Sequence, residues 1–127
     1  MTQLLAVAAG GALGALARWG VSLWVQGRSG LGFPWGTVAV NLAGCLAIGV
    51  VYGLFQGVEL PPALRLFVTL GFLGAFTTFS TFGYESVNLL QQGHPGRALG
   101  YVALSVVAGL ALVLVGLALG RGLAPGR

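Results

Sequence analysis

The stretch GFLGAFTTFSTF, residues 71–82, lies inside an apolar segment that is long enough to cross a lipid bilayer. It contains two glycines, three threonines and a serine among its phenylalanines, and it carries no charged residue. A helix that only faces lipid does not require this composition, because polar atoms at membrane depth are tolerated where the backbone lines a cavity or a protein interface. The stretch therefore predicts the wall of a pathway or of a binding site inside the membrane.

The composition of the whole chain is that of an integral membrane protein. Hydrophobic residues make up 57% of the 127 residues and charged residues only 6%, whereas soluble domains carry about 25% charged residues. A helical span takes about 20 residues, so the length allows four spans with short loops. We therefore expect an all-α protein of the cell (inner) membrane, with one domain over 1–127 and spans over about 3–26, 33–56, 62–91 and 97–120.

The charges are few and scattered, and the formal net charge is +4. Single arginines near the ends of spans are typical of interface anchoring rather than of nucleic-acid binding. Three arginines belong to the side of the termini and two to the opposite side, namely Arg65, Arg121 and Arg127 against Arg28 and Arg97. So small a bias allows insertion in either orientation, although one orientation could still prevail. Insertion in both would permit an antiparallel homodimer with the inverted symmetry that larger transporters encode within one chain.

Polar residues in the first two segments each have two possible roles. Arg18 lies well inside the first segment, where it either extends to the interface or forms a buried positive charge that orders a vestibule and attracts anions. Asn41 lies at mid-depth in the second segment, one helical turn after Thr37. Its amide either hydrogen-bonds a neighbouring helix or donates to a desolvated anion. The residues alone leave both alternatives open in each case.

The third segment likewise allows a packing role and a functional role. Phe79 and Phe82 share a helix face, and their electropositive ring edges could hold an anion weakly, or the rings could simply pack. Gly71 and Gly74 precede them, where the helix could open and free backbone groups for ions, or could pack closely. Glu85 is the only candidate for an intramembrane carboxylate, and its place near the end of the segment favours a structural or interfacial role.

The fourth segment carries a short polar stripe, because Tyr101 and Ser105 lie four residues apart. The stripe could line a pore or make hydrogen bonds between helices. Pairs of glycines at the same spacing favour a tight bundle or a dimer, namely Gly10/Gly14, Gly49/Gly53 and Gly116/Gly120. The sequence offers no plausible general base and no set of metal-ligating side chains, so we do not expect an enzyme.

Together these segments resemble the Fluc/CrcB family of fluoride channels over nearly the whole chain. The resemblance rests on GGALGALARW (10–19), GTVAVNLAG (36–44), GFLGAFTTFSTFGYE (71–85) and the pair Tyr101/Ser105. It implies a passive, fluoride-selective channel that exports fluoride down its electrochemical gradient and reduces its toxicity to the cell. It also implies an antiparallel, dual-topology homodimer with two pores, in which the third helix is broken near Gly74–Thr78.

The resemblance further implies roles for particular residues in the fluoride pathway. Phe79 and Phe82 would contact fluoride, and Asn41 would donate its amide to the ion. The other polar groups of the pathway would be Thr37, Ser80, Thr81, Tyr101 and Ser105, and Arg18 would lie in the vestibule. The family often carries a hydroxyl residue where this chain has Gly109, so a hydroxyl contact at that position is in question.

A structural sodium ion is the one cofactor that the resemblance implies. The backbone carbonyls of Gly74 and Thr77 from both subunits would surround it at the dimer interface. The expected partners are therefore fluoride, sodium, the lipid bilayer and a second copy of the chain, without nucleic acid.

Two other classes of membrane protein compete with this interpretation. A small dual-topology multidrug exporter should carry a carboxylate deep in its first segment, and the first segment here contains no acidic residue. A structural membrane subunit or assembly factor would not need the clustered TTFSTF block, residues 77–82.

Overall fold

A computed structural model of the chain describes residues 1–56 and 58–124, and the regular structure within these residues is helical. Four helices are long and apolar enough to cross a membrane. They are α1 (Thr2–Ser29), α2 (Trp35–Phe55), α3 (Pro62–Gln91) and α4 (Pro95–Leu123). The expectation of an all-α chain with four spans is confirmed.

The helix ends follow from glycine and proline. Gly30 ends α1 with φ 78, and Gly93 turns the chain between α3 and α4 with φ 77; these positive φ values suit glycine because it has no Cβ. Pro62 and Pro95 begin α3 and α4, where the missing N–H costs nothing and the fixed φ is already helical. Gln26 closes the α1–α2 loop, since its Nε2 donates to the Phe33 carbonyl at 3.1 Å.

The paired glycines bring helices of the same chain together. A Cβ added at Gly53 would lie 2.7 Å from the carbonyl oxygen of Leu117, and one added at Gly116 would lie 2.9 Å from the backbone nitrogen of Val50. The α2 and α4 backbones therefore touch along Gly49, Gly53, Gly116 and Gly120. Small residues allow this approach in membranes, where helix association depends on van der Waals packing.

The first helix packs against the first half of α3 in the same way. A Cβ at Gly71 would lie 2.9 Å from the Val7 carbonyl oxygen, and Gly10 and Gly14 lie against the backbone around Phe72. All three glycine pairs that predicted a tight bundle or a dimer are thus used within one chain. They do not point to a second copy.

Large apolar side chains cover most of the outer surface, and the buried core is small. A core cluster is formed by Val38, Leu89, Ala98 and Tyr101. Such an outward-facing apolar surface suits lipid rather than water as the surrounding medium.

The third helix is irregular in the middle and then breaks. Its residues Phe67–Leu73 are π-helical, and the chain is extended at Thr77 (φ −88, ψ 160) and Thr78 (φ −147, ψ 121) before helix resumes over Phe79–Gln91. Gly74 itself stays helical, with φ −63 and ψ −36. The opening thus lies at the two threonines rather than at a glycine, because Thr78 can cap the new helix: its Oγ1 accepts a hydrogen bond from the Thr81 backbone N–H at 3.2 Å.

Candidate ion pathway

Asn41 holds the broken segment of α3 from the neighbouring helix. Its Nδ2 donates to the Thr78 carbonyl oxygen at 3.0 Å, and the Thr78 N–H donates to its Oδ1 at 2.8 Å. Both backbone groups of an extended residue are thereby satisfied in a place where water is scarce. Of the two sequence alternatives, the hydrogen bond to a neighbouring helix is present. A side-chain amide carries two N–H donors, so one of them remains for a ligand.

The bonds to Asn41 and the Thr78 cap together leave two backbone carbonyls without their usual helical partners. The Gly74 carbonyl would ordinarily accept from the Thr78 N–H, which donates to Asn41 instead. The Thr77 carbonyl would ordinarily accept from the Thr81 N–H, which donates to the Thr78 hydroxyl. The Thr77 hydroxyl turns back to the Leu73 carbonyl at 3.0 Å, so Thr77 offers its backbone oxygen rather than its side chain.

A groove of about 360 Å³ lies beside the break. Side chains from α2, α3 and α4 line it, including Asn41, Cys45, Thr78, Phe79, Phe82 and Ser105. The rings of Phe79 and Phe82 are tilted with 5.8 Å between centroids. Phe79 is 84% exposed on the single chain, so the groove opens at the protein surface.

Hydroxyl groups gather at the start of the second half of α3, around Thr78. The Thr78 hydroxyl donates to the Thr81 hydroxyl at 3.0 Å, and it lies 3.5 Å from the exposed Ser80 hydroxyl. Thr78, like Cys45, is a groove residue that the sequence did not single out. The signal that could have found it is the TTFS run, since a threonine before a new helix is a favoured N-cap.

Thr37 and Tyr101 meet at Glu85 rather than at the groove. The Thr37 hydroxyl donates to Glu85 Oε1 at 3.0 Å, and the Tyr101 hydroxyl donates to Oε2 at 2.7 Å. Tyr101 is fully buried, with 0% exposure. Its ring lies 5.2 Å from the ring of Phe82, so this polar group of three side chains adjoins the groove through one aromatic contact.

Ser105 and Arg18 differ from these residues in having no side-chain partner among the described residues. The Ser105 hydroxyl oxygen is buried, lines the groove and makes no hydrogen bond to any of them. An unsatisfied buried hydroxyl is costly, so this atom indicates a place for a water molecule or an ion. Arg18 is half-buried on α1 and does not line the groove.

Four apolar helices with a polar, aromatic-lined groove beside a broken helix define a multi-pass integral membrane protein. A family model described as "CrcB-like protein, Camphor Resistance (CrcB)" matches residues 5–117, and the chain belongs to this family. The family membership and the membrane location predicted from the sequence are confirmed.

Full-length relatives carry a more specific name. A protein of Chloroflexus aurantiacus is 48% identical over 122 residues, which cover 95% of this chain and 97% of the relative. One from Thermus thermophilus is 48% identical over 121 residues, with 95% of each chain covered. One from Bordetella petrii is 50% identical over 117 residues, covering 91% of this chain and 89% of the relative. Each is named "Fluoride-specific ion channel FluC", and the prediction that this chain is not an enzyme agrees with those names.

Proposed function

We propose that this chain forms a fluoride-selective ion channel, through which fluoride leaves the cell passively, down its electrochemical gradient, so that its toxicity is reduced. The observation that carries the proposal is the near full-length similarity, at 48% identity, to proteins named as fluoride-specific channels. The geometry of the groove supports it independently.

The groove offers several weak sites and no fixed charge. The free Nδ2 hydrogen of Asn41, the unpartnered Ser105 hydroxyl and the ring edges of Phe79 and Phe82 all present partial positive charge. Fluoride is small and strongly hydrated, so a pathway must replace its water with donors. Conduction also requires that each site release the ion, and no arginine is among the residues that line the groove.

The polar groups outside the groove take supporting roles in this proposal. Ser80 and Thr81 extend the hydroxyl cluster at Thr78 beside Phe79. Thr37 and Tyr101 continue the polar route past Phe82 to Glu85. Arg18 serves the vestibule, where a positive charge raises the local anion concentration without lying in the narrow part.

An antiparallel homodimer with two pores completes the proposed channel. On a single chain the groove and the carbonyls of Gly74 and Thr77 would face lipid. Each polar group left without a hydrogen-bond partner there costs several kcal/mol of free energy. A second chain seated over the groove would cover these groups and the exposed Phe79 ring. The near balance of arginines on the two sides permits the opposite orientation of that second chain.

The freed carbonyls of Gly74 and Thr77 fit a structural sodium ion at the dimer interface. Unwound backbone carbonyls are the ligands that membrane transporters use for sodium, and both oxygens have lost their helical partners to Asn41 and to the Thr78 hydroxyl. One chain supplies too few oxygens to surround a cation, and the partner would supply an equal set. The ion would neutralise converging carbonyl dipoles and lock the two broken helices together.

Fluoride efflux from liposomes tests the function. The purified protein is reconstituted, a potassium ionophore is added, no proton gradient is applied, and release is followed with a fluoride electrode. Rapid fluoride release with little chloride release supports a passive selective channel, with protein-free liposomes as the control. Release only under a proton gradient would refute it in favour of a coupled transporter that uses the Glu85 carboxylate.

Tags at the C-terminus test the topology. In the proposed dimer, an impermeant reagent added to intact cells labels about half of the tags, because the two orientations are equally populated. Labelling of all tags or of none would refute dual topology while leaving the flux result untouched.

A further inference from the structure

We propose that the thiol of Cys45 forms part of the wall of the ion pathway, as the donor one helical turn beyond Ser105 that the glycine at position 109 cannot supply. The inference rests on the proposed function, since it assigns a further residue to the same pathway. Cys45 is the only cysteine of the chain and is a half-buried free thiol.

The position of Cys45 on α2 places it in the groove. It follows Asn41 by one helical turn, and both residues line the groove together with Ser105 of α4. The wall thus continues along α2 from an amide to a thiol.

The unpartnered hydroxyl of Ser105 is independent evidence that this part of the groove takes a ligand. Its oxygen is buried and has no hydrogen-bond partner among the described residues. Buried polar atoms of this kind are normally satisfied by water or by a bound species. The same groove therefore holds a buried donor that awaits a partner and a thiol close by.

Gly109 explains why the thiol can occupy this place. Position 109 lies one turn beyond Ser105 on α4, and a Cβ added there would lie 3.3 Å from Cys45 Sγ and 3.9 Å from Leu42 Cδ2. That first distance is tighter than ordinary van der Waals contact. A side chain at 109 and the thiol at 45 consequently compete for one space, and this chain fills it from α2.

The chemistry of a thiol suits a pathway that must not trap its ion. An S–H group is a weak hydrogen-bond donor, and the thiol itself carries no charge. It would offer fluoride a weaker site than a hydroxyl does, which favours release to the next site.

Selective modification of the thiol tests the inference directly. Methyl methanethiosulfonate is small, neutral and membrane-permeant. The Cys45 sulfur attacks its methylthio sulfur, a new S–S bond forms as the reagent's S–S bond breaks, methanesulfinate leaves with the electron pair, and the thiol proton passes to water. Intact-protein mass spectrometry measures the labelled fraction of the reconstituted wild type, and fluoride efflux is measured before and after labelling.

The expected result is full labelling and a fall in efflux of about tenfold or more, because the methylthio group narrows the pathway. Treated and untreated Cys45→Ala should conduct alike, and Cys45→Ser provides a second reagent-resistant variant that keeps a donor. Full labelling with unchanged efflux, or no labelling of a conducting protein, would overturn the inference. An unmodified wild type that moves no fluoride would instead refute the proposed function. In that case the labelled fraction would still test whether the Cys45 thiol is accessible in the groove. A thiol that does not react would overturn this inference as well.

Paired substitutions at positions 109 and 45, which move the side chain from one helix to the other, provide the second test. Gly109→Ser should lower efflux because its Cβ meets the Cys45 sulfur, and the double variant Gly109→Ser/Cys45→Ala should recover most of it, since the hydroxyl then takes the vacated place. Size-exclusion profiles establish that both variants remain folded. A double variant that conducts no better than Gly109→Ser alone would overturn the proposed exchange.

Discussion

The two hydrogen bonds between the Asn41 side chain and the Thr78 backbone support a quantitative prediction about stability. Replacement of Asn41 by leucine keeps the branched shape and the number of side-chain heavy atoms, although leucine is larger, and it removes both hydrogen bonds, at 3.0 and 2.8 Å. The Thr78 N–H and C=O then lose these partners within a membrane-spanning helix. Each buried backbone group left unsatisfied costs about 1–3 kcal/mol.

Hydrogen bonds between membrane helices often stabilise the folded protein by less than this, on average by ~0.6 kcal/mol. The reason is that the same groups find other partners in the unfolded state within the membrane. The Thr78 groups have no helical alternative while the break persists, so we expect Asn41→Leu to lower the unfolding free energy by about 2 kcal/mol. Such a loss is a large fraction of the total stability of a typical domain, about 5–15 kcal/mol.

Reversible unfolding in detergent micelles at a fixed protein concentration measures this loss. Ser86→Ala is the matched control on the same half of α3, because the Ser86 hydroxyl donates at 2.7 Å to the Phe82 carbonyl, which lies within the helix. Removal of that hydroxyl should change stability by less than ~0.5 kcal/mol. An Asn41→Leu protein that unfolds as the control does would refute the assignment of these two hydrogen bonds. Loss of efflux alone would not support it, since Asn41 also has a proposed role toward the ion.

Three further predictions test the site and the packing. Phe82→Ile should leave the proposed dimer assembled and cut fluoride efflux sharply, because the electropositive ring edge is lost; unchanged efflux would remove the ring from the pathway. Glu85→Ala should destabilise the protein by about 1–3 kcal/mol by leaving the buried Tyr101 hydroxyl without its acceptor. Adding Tyr101→Phe should recover part of this loss, and strictly additive losses in a double-mutant cycle would argue against the pairing. Gly116→Ala should strongly reduce the unfolding temperature because its Cβ meets the α2 backbone, whereas Gly122→Ala, with open space around it, should not; equal effects would contradict the helix contact.

The four spans were predictable because length and apolar composition are local properties. A run of about 20 apolar residues bounded by glycine and proline indicates a membrane helix without knowledge of its neighbours. The break in the third helix was expected near Gly74–Thr78 from the family resemblance, and it lies in that region, at Thr77 and Thr78. From the residues alone, the glycines could have opened the helix or packed closely. Gly74 stays helical, and the threonines carry the extended conformation.

Partners that are distant in the sequence were not predictable. The polarity of Asn41 was evident, but its bonds to Thr78 span 37 residues and depend on how α2 packs on α3. Glu85 was assigned a structural or interfacial role from its place along the segment. Its two acceptor oxygens in fact join α2 and α4, through Thr37 and Tyr101. The spacing of the glycines likewise indicated which helix faces carry small residues, but not which neighbouring helix each face contacts.

The glycines divide into two groups, and the second group carries information about the assembly. Those between α2 and α4 are explained by the chain itself. At several others an added Cβ would meet nothing within 4 Å in the described part of the chain, and six of these lie beyond the first turn of a helix, at Gly11, Gly20, Gly27, Gly83, Gly100 and Gly122. Within a helix, glycine is less stable than alanine by roughly 0.5–1 kcal/mol. Replacement of each of these six by alanine would therefore separate them by the sign of the change in unfolding free energy. A gain in stability marks a surface that contacts only lipid, and a loss marks a surface where another polypeptide backbone packs.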